Sequence, residues 1–148
     1  MSLPAIRSMT PAQVGAVRRL ESAVRKLPQV EIDTQHVIHA GTYSRTIRIA
    51  AGVLLTGAEI KRSTLLVFHG QALVTMGDET VELAGYHVIP AMAGRKQAFL
   101  ALDECDLTMI FASGAGSVEE AESEFTDEPH LLMSRQPGAR NSVTITGE

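Results

Sequence analysis

The residues of this 148-residue chain that could do chemistry are few and dispersed. The histidines are His36, His39, His69, His87 and His130, and one cysteine stands at Cys105. A divalent metal is held well only where several N, O or S donors converge, and the donors to consider are His39, His69, His87 and Glu59. His36 and His39 form a His-x-x-His pair. On a strand such a pair throws its rings to opposite faces, so only a turn or bulge would bring the two together. His69 precedes a glycine, where a polar residue at a strand end is expected to be exposed. His87 lies inside "YHVIP" and faces either an interior cavity or solvent.

Other catalytic patterns are missing. Cys105 is flanked by Asp103, Glu104 and Asp106, whose charges raise a thiol pKa and discourage a nucleophile. It is expected to be a small loop or core residue. Gly114-Ala115-Gly116 precedes a helical pattern, and a helix start can bind phosphate. No Lys-Ser/Thr follows, however, and Glu119 and Glu120 would repel an anion, so this stretch is a linker. Spacing alone identifies no paired-carboxylate site.

The elements that must position these residues change in texture along the chain. Thr10-Pro11-Ala12-Gln13 carries an N-cap hydroxyl, a proline at the first helical position and a glutamine three residues after the cap. Val14, Val17, Leu20, Val24 and Leu27 then recur at helical spacing, and Pro28 ends the pattern. Such a stripe packs on its own domain as a lid or serves as a dimer contact. From Glu31 to Ala112, short runs of Val, Ile, Thr, Leu and Tyr are broken by glycines, as in a β-sandwich or barrel. "TYSRTIRIA" alternates, with Tyr43, Arg45, Ile47 and Ile49 on one side. "STLLVFHG", "QALVTM", "TVELAG" and "YHVIP" read as four short strands, with a Gly-Asp hairpin turn in "MGDET". "KQAFLAL" and "DLTMIFA" complete the series. Ser117-Val118-Glu119-Glu120 forms a second capping box, and the glutamates after it read as a solvated helix face. Past Arg135 no periodicity remains. The division expected is an N-terminal helical segment (1–30), a β-barrel (31–113), a C-terminal helix (114–135) and a flexible tail (136–148).

Bulk properties narrow the classes. Apolar residues make up 45% and charged residues 20%, the composition of an ordinary globular domain. A net charge of -4 argues against a general nucleic-acid binder. A lone cysteine precludes an intrachain disulfide and fits a reducing compartment. No uncharged run reaches the ~20 residues of a membrane span, and no signal-peptide pattern opens the chain. A soluble, cytoplasmic protein is expected.

The order helix, short strands, helix, with "TLLVFHGQALV" and then "ETVELAGYHVIPAMAGRKQAF", resembles the cupin superfamily of small jelly-roll barrels over roughly Gly52 to Phe111. The resemblance implies a mainly β fold, a single cupin-like jelly-roll barrel with an N-terminal helix and a short C-terminal helix. Carried over position by position, the first cupin motif would place its two histidines on Thr56 and Ala58, or on Gly57 and Glu59 with a shorter loop. Its glutamate would fall on Ser63, and the ligand of the second motif on Gln97. The usual ligand set is therefore not present. No cofactor is expected, a divalent metal is disfavoured, and the dioxygenase, isomerase and decarboxylase activities of the superfamily do not carry over. The whole chain also resembles small cupin-like proteins of tailed bacteriophages and prophages, through "HVIHAGTYSRTIRIAAG", "GYHVIPAMAGRKQAF", "LTMIFA" and "SVEEAESEFTDE".

If the barrel closes as in such relatives, Tyr43, Arg45, Glu59, Lys61, His87 and Gln97 would line its mouth. Arg45 and Lys61 would then favour an anionic ligand, although both residue types mostly point to water. The expectation is a non-catalytic, phage-encoded accessory or virion-associated module. It would act by protein contacts, as a homodimer or on a virion or host protein, in the host cytoplasm or the virion. Neither membrane nor nucleic acid is expected as a partner. The alternative is a small-molecule binder, or a metal-dependent cupin enzyme with an unusual ligand set that brings His39, His69 or His87 together with Glu59 or Gln97. A third idea uses Arg45, Lys61, Arg95 and Lys96 to hold the phosphates of a nucleotide signal.

Overall fold

The computed structural model describes residues 5–147. Helix α1 (Pro11–Val24) is followed by strands β1 (Thr34–His39), β2 (Thr42–Ile49), β3 (Leu54–Thr56), β4 (Thr64–Met76), β5 (Glu79–Ala91), β6 (Ala98–Ala101) and β7 (Cys105–Ala112). Helix α2 (Val118–Phe125), two short 3-10 turns (Pro129–Leu131 and Met133–Arg135) and strand β8 (Asn141–Ile145) complete it. The chain is mainly β, and its sheet is curled as in a jelly roll.

The four short strands predicted between Ser63 and Pro90 are two long ones. β4 and β5 pair antiparallel from Thr64↔Ala91 to Met76↔Glu79, around a Gly77-Asp78 turn in which Gly77 has φ 69°. Where turns were expected, at Gly70 and Gly85, the ladder bends instead. The two glycines face each other in register, with φ 136° and 87°. Only residues without a Cβ take such angles readily, so one bend in two strands uses two glycines.

At this bend β4 changes partner. β5 holds one edge of β4 throughout, so the other edge takes β7 along Leu65–His69 and β6 along Ala72–Val74. β7 continues to β2, β1 and β8, and β6 continues to β3. The sheet thereby divides into two leaves. Tyr43, Ile49, Leu66, Phe68, Val74, Phe99, Met109 and Phe111 are buried between them. The β6–β7 connection lies directly against Gly70. A Cβ there would stand 2.6 Å from the Glu104 carbonyl oxygen and 2.9 Å from Cys105 Cα.

The helices are fixed locally. Thr10 Oγ1 accepts from the Gln13 amide while the Thr10 amide donates to Gln13 Oε1, the capping box read from the sequence. The helix ends at Val24, before Leu27. Val14 and Val17 are buried, whereas Leu20 and Leu27 are exposed, so only the first half of the stripe packs. The second box is half-built: Ser117 Oγ accepts from the Glu120 amide, but the Glu120 carboxylate reaches the Gly116 amide instead of that of Ser117.

Within the stretch 136–148, expected as a flexible tail, residues Asn141–Ile145 form a strand, and residue 148 lies outside the described residues. This strand, β8, pairs in parallel with β1 from Thr34↔Asn141 to Ile38↔Ile145. Its β-branched residues Val143, Thr144 and Ile145 suit a strand even though their side chains are exposed. No helix among the described residues is long and apolar enough to cross a membrane.

The contrast between the two bend glycines is testable. Gly70→Ala meets both an unfavourable φ and backbone atoms closer than 3 Å, whereas nothing lies within 4 Å of a Cβ at Gly85. In urea unfolding, Gly85→Ala is expected to cost about 1 to 2 kcal/mol from strain alone and Gly70→Ala clearly more. Equal losses would mean that the close β6–β7 approach does not matter.

Candidate functional site

Between the two leaves lies a cavity of about 170 Å³. Its walls are largely apolar: Leu55 and Phe99 come from the β3–β6 leaf, and Ile47, Leu107 and Met109 from the β2–β7 leaf. Alternation along each strand turns these side chains inward. Phe125 of α2 and the Leu131–Met133 segment close one side, and Glu21 of α1 and Arg25, which caps it, complete the lining. The helix is tied down by ion pairs. Arg18 meets Glu59 at 2.8 Å and Glu128 at 3.0 Å, and Glu21 accepts from Lys96 Nζ at 2.9 Å.

The charged wall of the cavity is organised by Glu122, which is 1% exposed. Arg45 Nη1 donates to its Oε2 at 2.9 Å, Ser134 Oγ donates to the same oxygen at 2.7 Å, and Arg135 Nε donates to Oε1 at 2.7 Å. Burial by itself would raise this carboxyl. The hydrogen bonds from Arg135 and Ser134, together with the Arg45 charge, outweigh burial and hold it below the usual carboxylate range. Arg45 faces the apolar cavity, while Arg135 faces a polar recess beside α2 and β8. Glu122 is thus the partition between the two spaces.

Beside it, His36 is fully buried. Its Nε2 lies 2.7 Å from Asn141 Oδ1 and its Nδ1 2.7 Å from the Tyr43 hydroxyl. Asn141 Nδ2 donates to the Ser134 carbonyl, which leaves Oδ1 as an acceptor, so His36 carries its proton on Nε2 and Tyr43 donates to Nδ1. Burial pushes the imidazole pKa down against the Asn141 bond, with the Arg45 charge adding to burial. Burial also pushes the Tyr43 hydroxyl up. The imidazole is a neutral linker that joins β8 to the core.

Of the six residues expected at the barrel mouth, Arg45 and Gln97 line the cavity. Gln97 is buried, and its amide donates to the Thr75 carbonyl. Tyr43 is inside the core, stacked on Phe125. Glu59 is at the surface with Arg18, and Lys61 is exposed beside Asp127. His87 lies opposite Phe68 on β4, with Nε2 on the Ala84 carbonyl and its buried Nδ1 unpartnered.

The four metal donors do not converge. His39 is exposed beside Thr146, and His69 is exposed on the other face of the hairpin from His87, since His87 is in register with Phe68. Glu59 is held by Arg18. Among the described residues no three His, Cys, Asp or Glu side chains are grouped to hold a metal ion, so the residues present do not fit a metal of the kind the sequence resemblance would imply. Cys105 is buried with Sγ 3.1 Å from the Gln71 carbonyl oxygen. Burial first, and then the neighbouring acids, raise its thiol pKa.

Sequence reasoning missed Glu122, although the signal was there. Val118, Ala121, Glu122 and Phe125 fall at helical i, i+3, i+4, i+7 spacing, and Ala121, Glu122 and Phe125 are the buried residues of α2. The glutamate read as solvated therefore sits on the packed stripe. Arg95 and Lys96, named from the sequence only as candidate holders of phosphate, are buried at the cavity; they lie between strands, where no periodicity signals burial.

Scans of the sequence against protein-family models and against curated proteins find no match. Among solved structures, the chain is similar to a cupin superfamily protein from Desulfitobacterium hafniense (TM-score 0.47, 16% identity, covering 61% of this chain and 86% of that one). It is also similar to a conserved protein of unknown function from Streptococcus pyogenes (0.46, 15%, 60% and 80%). A third is salicylate 1,2-dioxygenase from Pseudoaminobacter salicylatoxidans (0.49, 16%, 77% and 33%), of which this chain spans about a third. Likeness at these scores and identities is too loose to bring chemistry from those proteins to this one.

The weight placed on Glu122 can be measured. Glu122→Gln leaves Arg45 and Arg135 without their counter-charge, and breaking a buried pair in this way costs about 3 to 5 kcal/mol. A loss below about 1 kcal/mol in urea unfolding would show that the cluster is a surface-like pair of little consequence.

Proposed function

We propose that this chain is a non-catalytic binding module whose curled sheet holds a small, mostly apolar molecule in the cavity between its leaves. The observation that carries this reading is the cavity itself: a mostly apolar interior, flanked by α1 and the Leu131–Met133 segment, with charged and polar groups contributed by α1, β2 and residues 95–97. Binding sites are commonly built this way. A dry cavity of roughly 150 Å³ takes one benzene ring, so the space suits a single ring or a short branched chain. The scattered histidines support binding over metal-dependent turnover, because the donors that such turnover needs are on different faces. As its biological setting, the same proposal takes the module to be an accessory protein of a tailed phage, working alone or as a pair. This part rests on the resemblance of the quoted segments.

The reading is tested by titrating benzyl alcohol while following methionine methyl signals. Met109 and Met133 line the cavity, whereas Met92 does not and serves as the control. Saturable shifts at Met109 and Met133 alone are expected, with affinity of about millimolar strength. Ala58→Phe, which fills the lining from one side, should abolish them while leaving the rest of the spectrum native. Uniform or non-saturating shifts would count against a cavity site.

A further inference from the structure

One cation at the cavity has no carboxylate partner among the described residues. Arg95 is 2% exposed and lines the cavity. Its Nη1 donates to the carbonyl oxygens of Met92 at 2.8 Å and Arg62 at 3.2 Å, and its Nη2 donates to Thr64 Oγ1 at 2.7 Å. None of these acceptors is charged, and Nε has no partner among the described residues. The other cations at the cavity each reach a carboxylate, though shared: Arg45 shares Glu122 with Arg135, and Lys96 shares Glu21 with Arg25, which stands 3.5 Å from it. Arg95 has none among the described residues. Burial pushes its guanidinium down to about 10, and no neighbouring acid opposes the shift.

A buried charge is ordinarily paired, because leaving it alone in a low-dielectric site is costly. An anion entering the cavity would offset that cost. A guanidinium presents a planar fork, and a carboxylate presents the matching pair of oxygens with a single negative charge. A phosphate monoester is bulkier than a carboxylate and would take up more of a volume that admits little more than one ring. Most of the remaining lining is apolar, its charged side chains Arg45, Lys96 and Arg25 are engaged by Glu122 and Glu21, and the volume admits little more than one ring, so the rest of the ligand is compact and apolar.

Resting on the proposal that the cavity is a binding site, we propose that its ligand is a small monocarboxylate with a compact hydrocarbon body, anchored on the Arg95 guanidinium.

The test is isothermal titration at pH 7 with benzoate, its near-isosteric neutral amide benzamide, and phenyl phosphate, on the wild type and on Arg95→Met. Benzoate should bind the wild type about tenfold tighter than benzamide. In the variant that preference should vanish while benzamide binding persists. Equal binding of benzoate and benzamide, a preference that survives Arg95→Met, or tighter binding of phenyl phosphate would overturn the carboxylate assignment and leave Arg95 as a brace of the 62–64 and 92 loops. Each of those outcomes leaves the apolar cavity standing as a site, whereas failure of all three probes on the wild type would remove the cavity reading as well. Should Arg95→Met not fold, the Nε–H signal of Arg95 in the wild type decides. It should move with benzoate and not with benzamide, and a signal indifferent to both overturns the assignment.

Discussion

The structure depends on a carboxylate taken out of water. Glu122 is buried on α2 and accepts from Arg45 of β2 and from Ser134 and Arg135 of the second 3-10 turn. One acidic group therefore binds the C-terminal third of the chain to the middle of the sheet. Its desolvation is tolerable only because donors approach both of its oxygens. Through Ser134 and Asn141 the same cluster reaches His36 and places β8 beside β1. The side of the cavity that α2 and the 3-10 turns close is therefore held by an electrostatic arrangement as much as by apolar contact. Phe125 adds to it, with the Arg45 guanidinium 5.5 Å from its ring centroid.

The second constraint is steric. β4 serves two leaves because its partner changes at Gly70, and the β6–β7 connection occupies the space a side chain would need. Without that change of partner the strands would form one continuous sheet, and there would be no interior to line. The cavity thus arises from backbone geometry at a glycine pair, while its closure arises from charge.

These two causes explain what the sequence made legible. The mainly β texture, the α1 capping box, the Gly-Asp hairpin and the inward face of β2 all follow from local patterns of turn residues and alternation, and each is visible in a short window. The long strands were misdivided because a glycine that bends a ladder and a glycine that ends a strand look the same in sequence. The candidate site was less legible. Arg45 and Gln97 fell on its wall, but Tyr43, Glu59, Lys61 and His87 did not, because whether a strand residue meets the cavity, the core or solvent depends on which leaf packs over it. Glu122 was hidden by its neighbours: among Glu119, Glu120 and Glu124 it looked like one more solvated acid, and only its position on the stripe with Ala121 and Phe125 marked it. Arg95 gains its meaning from the carboxylate it lacks, and no local pattern encodes that.

We propose that this jelly roll works as a pocket without a resident metal, because its histidines stand apart and no three metal-ligating side chains among the described residues are grouped. Elemental analysis of the protein, purified without chelators or added metal, tests this most directly. Fe, Mn, Ni and Zn are all expected far below one equivalent per chain. A near-stoichiometric metal that survives dialysis would contradict it, and would mean that His39, His69, His87 and Glu59 come together in a way this fold does not provide.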